Sequence, residues 1–366
     1  MVMAAFFCSG VIGCTANEIA ELPGDPVRRI EMRGVYGGIP GENTAGAALS
    51  DFGANAVFIG SGGFTKERVE WVKSQGARIF AEFNTMHNAR YLEEHPDAAP
   101  VGADGEVCPP PHDWQGICPT HPEYRAERMN SFRELVRNFD LDGVWLDYHH
   151  SHASWEREDP AMPDTCFCER CLERFSSDTG TELPDLPAAR LAPAILEDHG
   201  EEWVQWRCDV FTDWVREFRE ILDEERPGAL LGTFHNPWSD QDFDGDRIRK
   251  LAIDLKAQAE YLDVFSPMPY HARFGHADDP EWISRQVSWL GSYLGLEGKP
   301  GEAIKIWPIV QLSDWGTEVP ASQVAEILEA GTRPPSTGVM FFAWGSLKEH
   351  TDRVGELSKF YKGLSQ

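Results

Sequence analysis

The sequence predicts a (β/α)8 barrel. Three observations lead there: eight short β-branched and aromatic runs recur along the chain, helical patterns separate them, and neither G-x-G-x-x-G nor a phosphate-binding Gly-Lys loop follows the first run. Eight strands with crossover helices favour a closed barrel over an open doubly wound sheet. The missing glycine loops remove nucleotide chemistry from the reading.

In chain order the strands are expected over 29–37 (RIEMRGVYG), 55–61 (NAVFIGS), 77–83 (ARIFAEF), 142–149 (DGVWLDYH), 229–235 (ALLGTFH), 262–270 (LDVFSPMPY), 304–311 (IKIWPIVQ) and 338–344 (GVMFFAW). Helices are expected over 65–76, 122–139, 201–225, 245–262, 280–295 and 322–332, where apolar residues repeat every three or four positions. Two connections are long, residues 84–123 after the third strand and 150–201 after the fourth. Both follow strands, so both belong on the C-terminal face, where barrel enzymes build their sites.

The barrel is read as one domain over 28–366, preceded by a separate segment, 1–27. That segment is apolar for thirteen residues and reaches VIGC at Cys14, which resembles a lipobox and predicts an exported, lipid-anchored chain. It lacks Lys and Arg before the apolar run, which leaves a cytoplasmic chain with a frayed end as the alternative. No other run is long enough to span a bilayer. Sixty Asp and Glu stand against 33 Lys and Arg, a net charge of −27, so nucleic acid and anionic membranes are repelled. The sequence is silent on oligomeric state and admits a homo-oligomer.

Three of the eight cysteines fall within DTCFCERCLERF (164–175). Disulfides cannot account for C-x-C-x2-C, because one thiol is left over and neighbours two apart seldom reach bridge geometry. A tetrahedral zinc site fits Cys166, Cys168 and Cys171 with a fourth ligand, Cys118 or Cys108. Cys118 is preferred, because it directly precedes a helix on the loop that must fold beside the one after the fourth strand.

The pair ICPTHPEYR and CFCERCLERF resembles the zinc-binding loops of the family 42 β-galactosidases. It resembles still more the hypothetical glycosyl hydrolases related to them and to α-L-fucosidases, in which a strand like DGVWLD (142–147) lies between the two motifs. LDVFSPMPYHARFG and IWPIVQ are similar to the sixth and seventh strands of that group, so the likeness covers roughly residues 28–347. It implies a glycosidase barrel, a structural zinc and a nucleophile at Asp147. The β-galactosidases' Asn-Glu and strand-seven Glu are replaced by Tyr148-His149 and Val310-Gln311, so their catalytic pair does not carry over.

Glycoside hydrolysis takes two carboxyl groups flanking the sugar. Asp147 ends the buried run GVWL and begins the polar run DYHHSH, as a catalytic group at a barrel mouth should. Glu82 and Asp314 are the candidates for its partner, whereas Asp240, Asp242 and Asp244 read as a solvated turn. Tyr36, His149, His235, Asn236, Tyr270, His271, Gln311 and Trp344 end strands or directly follow them and are expected to bind a neutral carbohydrate, with Trp344 as a stacking platform and Trp145 as core. Two rival functions stand beside the hydrolase: a carbohydrate-binding barrel without catalysis, and a metal-dependent hydrolase using His149, His235 and His271.

Overall fold

The computed structural model describes residues 30–42 and 44–364. The N-terminal segment with Cys14 lies outside them. Nine parallel strands form one sheet: β1 (Met32–Tyr36), β2 (Ala56–Gly60), β3 (Arg78–Asn84), β4 (Gly143–Asp147), β5 (Leu230–His235), β6 (Val264–Pro267), β7 (Lys305–Ile306), β8 (Ile309–Gln311) and β9 (Gly338–Phe342). Their order is β7-β6-β5-β4-β3-β2-β1-β9-β8.

The two edge strands are halves of the expected seventh strand. β7 pairs with β6 and β8 pairs with β9, so the interrupted strand joins both ends of the sheet into a barrel of eight positions. Pro308 makes the interruption, since it has no N–H for a ladder. Backbone bonds continue across it: Trp307 N donates to Phe265 O at 3.0 Å, and Met340 N to Pro308 O at 3.0 Å.

Side chains fill the barrel. Trp145 stacks on Trp307 at 5.7 Å, Phe58 and Phe80 lie against Trp145, and Trp145 Nε1 donates to Ser266 Oγ at 2.9 Å. Trp145 is core, as expected. Gly232 on the neighbouring strand β5 has to be glycine, because a Cβ there would come within 2.3 Å of the Trp145 ring. Burying each such indole contributes roughly 4–6 kcal/mol of apolar transfer.

Most of the expected helices form, including Lys66–Ser74, Pro122–Asn138, Gly200–Glu225, Glu281–Leu294 and Val324–Thr332. The expected helix over 245–262 is instead two single turns, Asp246–Arg249 and Leu255–Gln258. The buried Arg247 guanidinium causes the break: it pairs with Asp240 and donates to Ile253 O at 2.7 Å, which folds the chain back through Ala252 at φ 57°. Asp254 then caps the second turn. The cysteine motif itself opens a helix, Glu169–Thr179, that the apolar pattern did not announce.

The long loops after β3 and β4 are fastened together above the C-terminal face. Gly102 and Thr165 form an antiparallel bridge between them. His152 Nδ1 accepts from Gly116 N at 2.9 Å while its Nε2 bonds Pro109 O at 3.0 Å.

Candidate functional site

The same two loops gather four thiols. The sulfurs of Cys118, Cys166, Cys168 and Cys171 all lie within 4.8 Å of one another, and this is the one such ligand group among the described residues. Cys118 Sγ is 3.5 Å from Cys168 Sγ and 3.6 Å from Cys171 Sγ. Four sulfurs held at about 2.3 Å around one zinc would be about 3.8 Å apart, so the spacing suits that ion with a small expansion. Cys108 is absent from the group. Bonds from the other three thiols hold Cys118 well below the usual thiol range, whereas its bond to Cys118 raises Cys171 and burial raises Cys166. Val101 N donates to Cys166 Sγ at 3.3 Å, the kind of outer bond that orients a metal ligand.

A second gathering lies at the barrel mouth. Asp147, the last residue of β4, shares a hydrogen bond with Glu82 of β3, and Tyr36 of β1 donates its hydroxyl to Glu82 Oε2 at 2.7 Å. Thr85 N and Thr85 Oγ1 both donate to the Asp147 carbonyl at 3.0 Å, which pins the strand end, and Tyr148 N donates to Asp147 Oδ1 at 2.9 Å. Tyr148 takes φ 51° to do so, a conformation unusual for a bulky residue and one that collects at functional sites.

Burial raises Asp147 well above the usual carboxylate range, and the charges of Glu82 and Glu156 add to it. Glu82 is raised too, mainly by burial, although the Tyr36 hydroxyl opposes this. Both members of the pair therefore keep a proton more readily than an exposed carboxyl does, Asp147 more than Glu82. Glu156, on the loop after β4, is pushed up to about 7 by loss of water, against the pull of Arg273.

Asp147 and Glu156 line one cavity of about 160 Å³, with Tyr36, Tyr148 and Tyr270 as its further polar groups. Trp114, Phe234, Met268, Ile309, Trp315 and Phe342 make the apolar walls. An apolar cavity of about 150 Å³ admits a benzene ring, so this one has room for one six-membered ring.

Of the residues expected at the rim, Asp147, Tyr36 and Tyr270 line this cavity and Glu82 backs it. Asp314 lies apart, paired with Arg353 at 2.8 Å and accepting from Val319 N at 2.9 Å. Gln311 is buried and fastens a loop, accepting from Arg273 N and donating to Ser313 O and Trp315 O. His149 spends both ring nitrogens on Thr85 Oγ1 and Phe211 O, and does not gather with His235 and His271 into a ligand group. His235, Asn236 and His271 are buried outside the cavity lining, with His235 Nε2, both Asn236 side-chain atoms and both His271 nitrogens lacking a protein partner. Trp344 packs edge-on to Phe52 at 5.2 Å and beside Gly38.

Sequence reasoning missed Glu156 and Trp114. Both sit on the two long loops assigned to the C-terminal face, and the Trp155-Glu156 pair was the available signal.

No family model matches the chain, and no curated protein matches it. Solved structures do. The PgaB (BpsB) glycoside hydrolase domain from Bordetella bronchiseptica superposes with a TM-score of 0.63 at 12% identity, over 86% of this chain and 90% of that one. A β-galactosidase from the Antarctic haloarchaeon Halorubrum lacusprofundi gives 0.64 at 13%, over 91% of this chain and 58% of that one. α-L-Fucosidase isoenzyme 2 from Paenibacillus thiaminolyticus gives 0.56 at 12%, over 91% and 49%. The chain thus spans about half the length of the last two. It shares the barrel fold of these glycoside hydrolases.

Proposed function

We propose that this barrel hydrolyses the glycosidic bond of a terminal, uncharged sugar residue. The observation that carries the reading is the meeting of Asp147 and Glu156 in an aromatic-walled cavity the size of one ring. Asp147 is the nucleophile. At rest Asp147 keeps the pair's proton; on sugar binding it passes to Glu82, and the Asp147 carboxylate, steadied by the Tyr148 N–H, attacks the anomeric carbon.

Glu156 is the acid/base in this proposal. A carboxyl with a pKa of about 7 keeps its proton near neutrality, gives it to the leaving oxygen, and afterwards accepts one from the attacking water. Glu82 does not face the sugar; through Tyr36 and the shared proton it sets the charge of Asp147. The tyrosine hydroxyls and indole walls bind the ring, and the lack of Lys and Arg among the described residues of the lining speaks against an anionic sugar.

The four cysteines are proposed to hold a structural zinc, which would tie together the loops bearing Trp114 and Glu156 and take no part in the reaction. Export with lipidation at Cys14 stays part of the proposal, on its sequence alone.

The test is a panel of aryl glycosides of both anomeric configurations, assayed with the wild type and with Asp147→Asn. Turnover of at least one sugar, lost in the variant, is the expected result. Sugar binding by calorimetry without cleavage of any glycoside would favour a binding barrel instead.

A further inference from the structure

Three loops meet at the cavity mouth in one side chain. Arg273, on the loop after β6, donates from Nε to the Glu156 carbonyl at 2.6 Å and lays its guanidinium over the Trp315 ring at 4.6 Å. Its backbone N–H donates to Gln311 Oε1 at 2.9 Å, and the Gln311 amide donates to the carbonyls of Ser313 and Trp315 at 2.9 and 3.1 Å. Gly316 lets the turn close, because it sits at φ +91°, a backbone conformation that L side chains rarely adopt.

We infer that Arg273 is a positioning residue, a clamp that holds Glu156 and the Trp315 wall at a fixed separation across the cavity. The inference rests on the hydrolase reading for its kinetic consequences and on geometry for the clamp itself. Arg suits the task because a planar cation can donate in its plane and stack through its face at once, which a Lys ammonium cannot.

Glu156 is faced by Asp147 and Tyr148 at the end of β4 and by Tyr270 and Arg273 on the loop after β6, while Arg157, on the Glu156 loop, faces Arg273. Among the described residues, Arg273 is the one cation acting directly on the Glu156 carboxyl. Its removal leaves Glu156 surrounded by neutral or negative groups, so the Glu156 titration must move upward.

The experiment measures that titration directly, by carbon NMR of protein labelled at glutamate Cδ, with Glu156→Gln assigning the signal, beside the pH profile of kcat/KM. In Arg273→Met the Glu156 midpoint is expected to rise by about one unit, and KM to rise roughly three- to tenfold as Trp315 is released. Arg273→Lys keeps the charge and loses the stack, so it should hold the midpoint and still raise KM. Unchanged midpoint and KM in Arg273→Met would overturn the clamp, and if that variant does not fold, an unchanged KM in Arg273→Lys does so. A shifted midpoint in a protein that cleaves no glycoside would support the clamp and overturn the hydrolase reading.

Discussion

Two crowds of acidic groups are built on β3, β4 and the loops that follow them, and they are suited to relieve their crowding in opposite ways. At the thiol cluster four sulfurs stand within 4.8 Å of one another, too close to ionise together without a cation. At the cavity, Glu82, Asp147 and Glu156 are crowded by burial and by one another, and they keep protons instead. A site relieved by a metal becomes a fixed strut. A site relieved by protons can give them away, which is what an acid/base reaction needs.

The largest expected effect comes from the nucleophile. Asp147→Asn should keep the fold and lower kcat on the order of 10⁴-fold, as read by steady-state kinetics on the cognate aryl glycoside. Near wild-type turnover would move the chemistry to another group.

Next is Glu156→Gln, expected to slow substrates with poor leaving groups by roughly 10²–10⁴-fold and nitrophenyl glycosides far less. It should also abolish the basic limb of the pH profile near 7. The stability sign follows from a folded pKa of about 7 against the ordinary 4.5. Stability from the protonated Glu156 is full below 4.5 and is lost as pH rises through 7. The glutamine variant should therefore melt close to the wild type at pH 4 and above it at pH 8, a difference that calorimetry reads.

The thiol cluster should respond in another currency. Cys168→Ser is expected to remove the bound zinc, measured by elemental analysis, and to lower Tm by roughly 5–10 °C. KM should rise through loosening of the Trp114 loop, with kcat little changed. A fall in kcat matching that of Asp147→Asn would erase the distinction between strut and reactive site.

The smallest effect belongs to Tyr36→Phe. Losing one hydroxyl donor to the Glu82 carboxylate should raise the acidic limb of the pH profile and leave kcat at the optimum within about threefold, because it makes the Glu82 carboxyl a readier acceptor for the Asp147 proton. No change in that limb would show that Glu82 and Asp147 do not act as a pair.

The two sites also differ in how they could be read from the residues alone. The thiol cluster was legible to its last cysteine, because C-x-C-x2-C is a local spacing and Cys118 stands just before a helix. The barrel was legible for the same reason: strand patterns are local, and Pro308 only divides one of them. The cavity was legible as far as strand ends reach, which includes Tyr36, Glu82 and Asp147. Glu156 lies nine residues along a loop whose course depends on His152, Trp155 and the thiols, and no periodicity reports it. Gln311 shows the converse. Its place at a strand end is on the rim, yet its amide turns to carbonyls of its own loop, a choice made by packing.

The claim that Asp147 forms a covalent bond to the sugar is tested most directly by trapping. The wild type is incubated with an activated 2-deoxy-2-fluoro glycoside of the sugar it cleaves, then digested and sequenced by mass spectrometry. One glycosyl adduct per chain is predicted, on the peptide carrying Asp147 and on that carboxyl. An adduct on Glu156 or Glu82, or full turnover of the parent glycoside with no adduct, would contradict it.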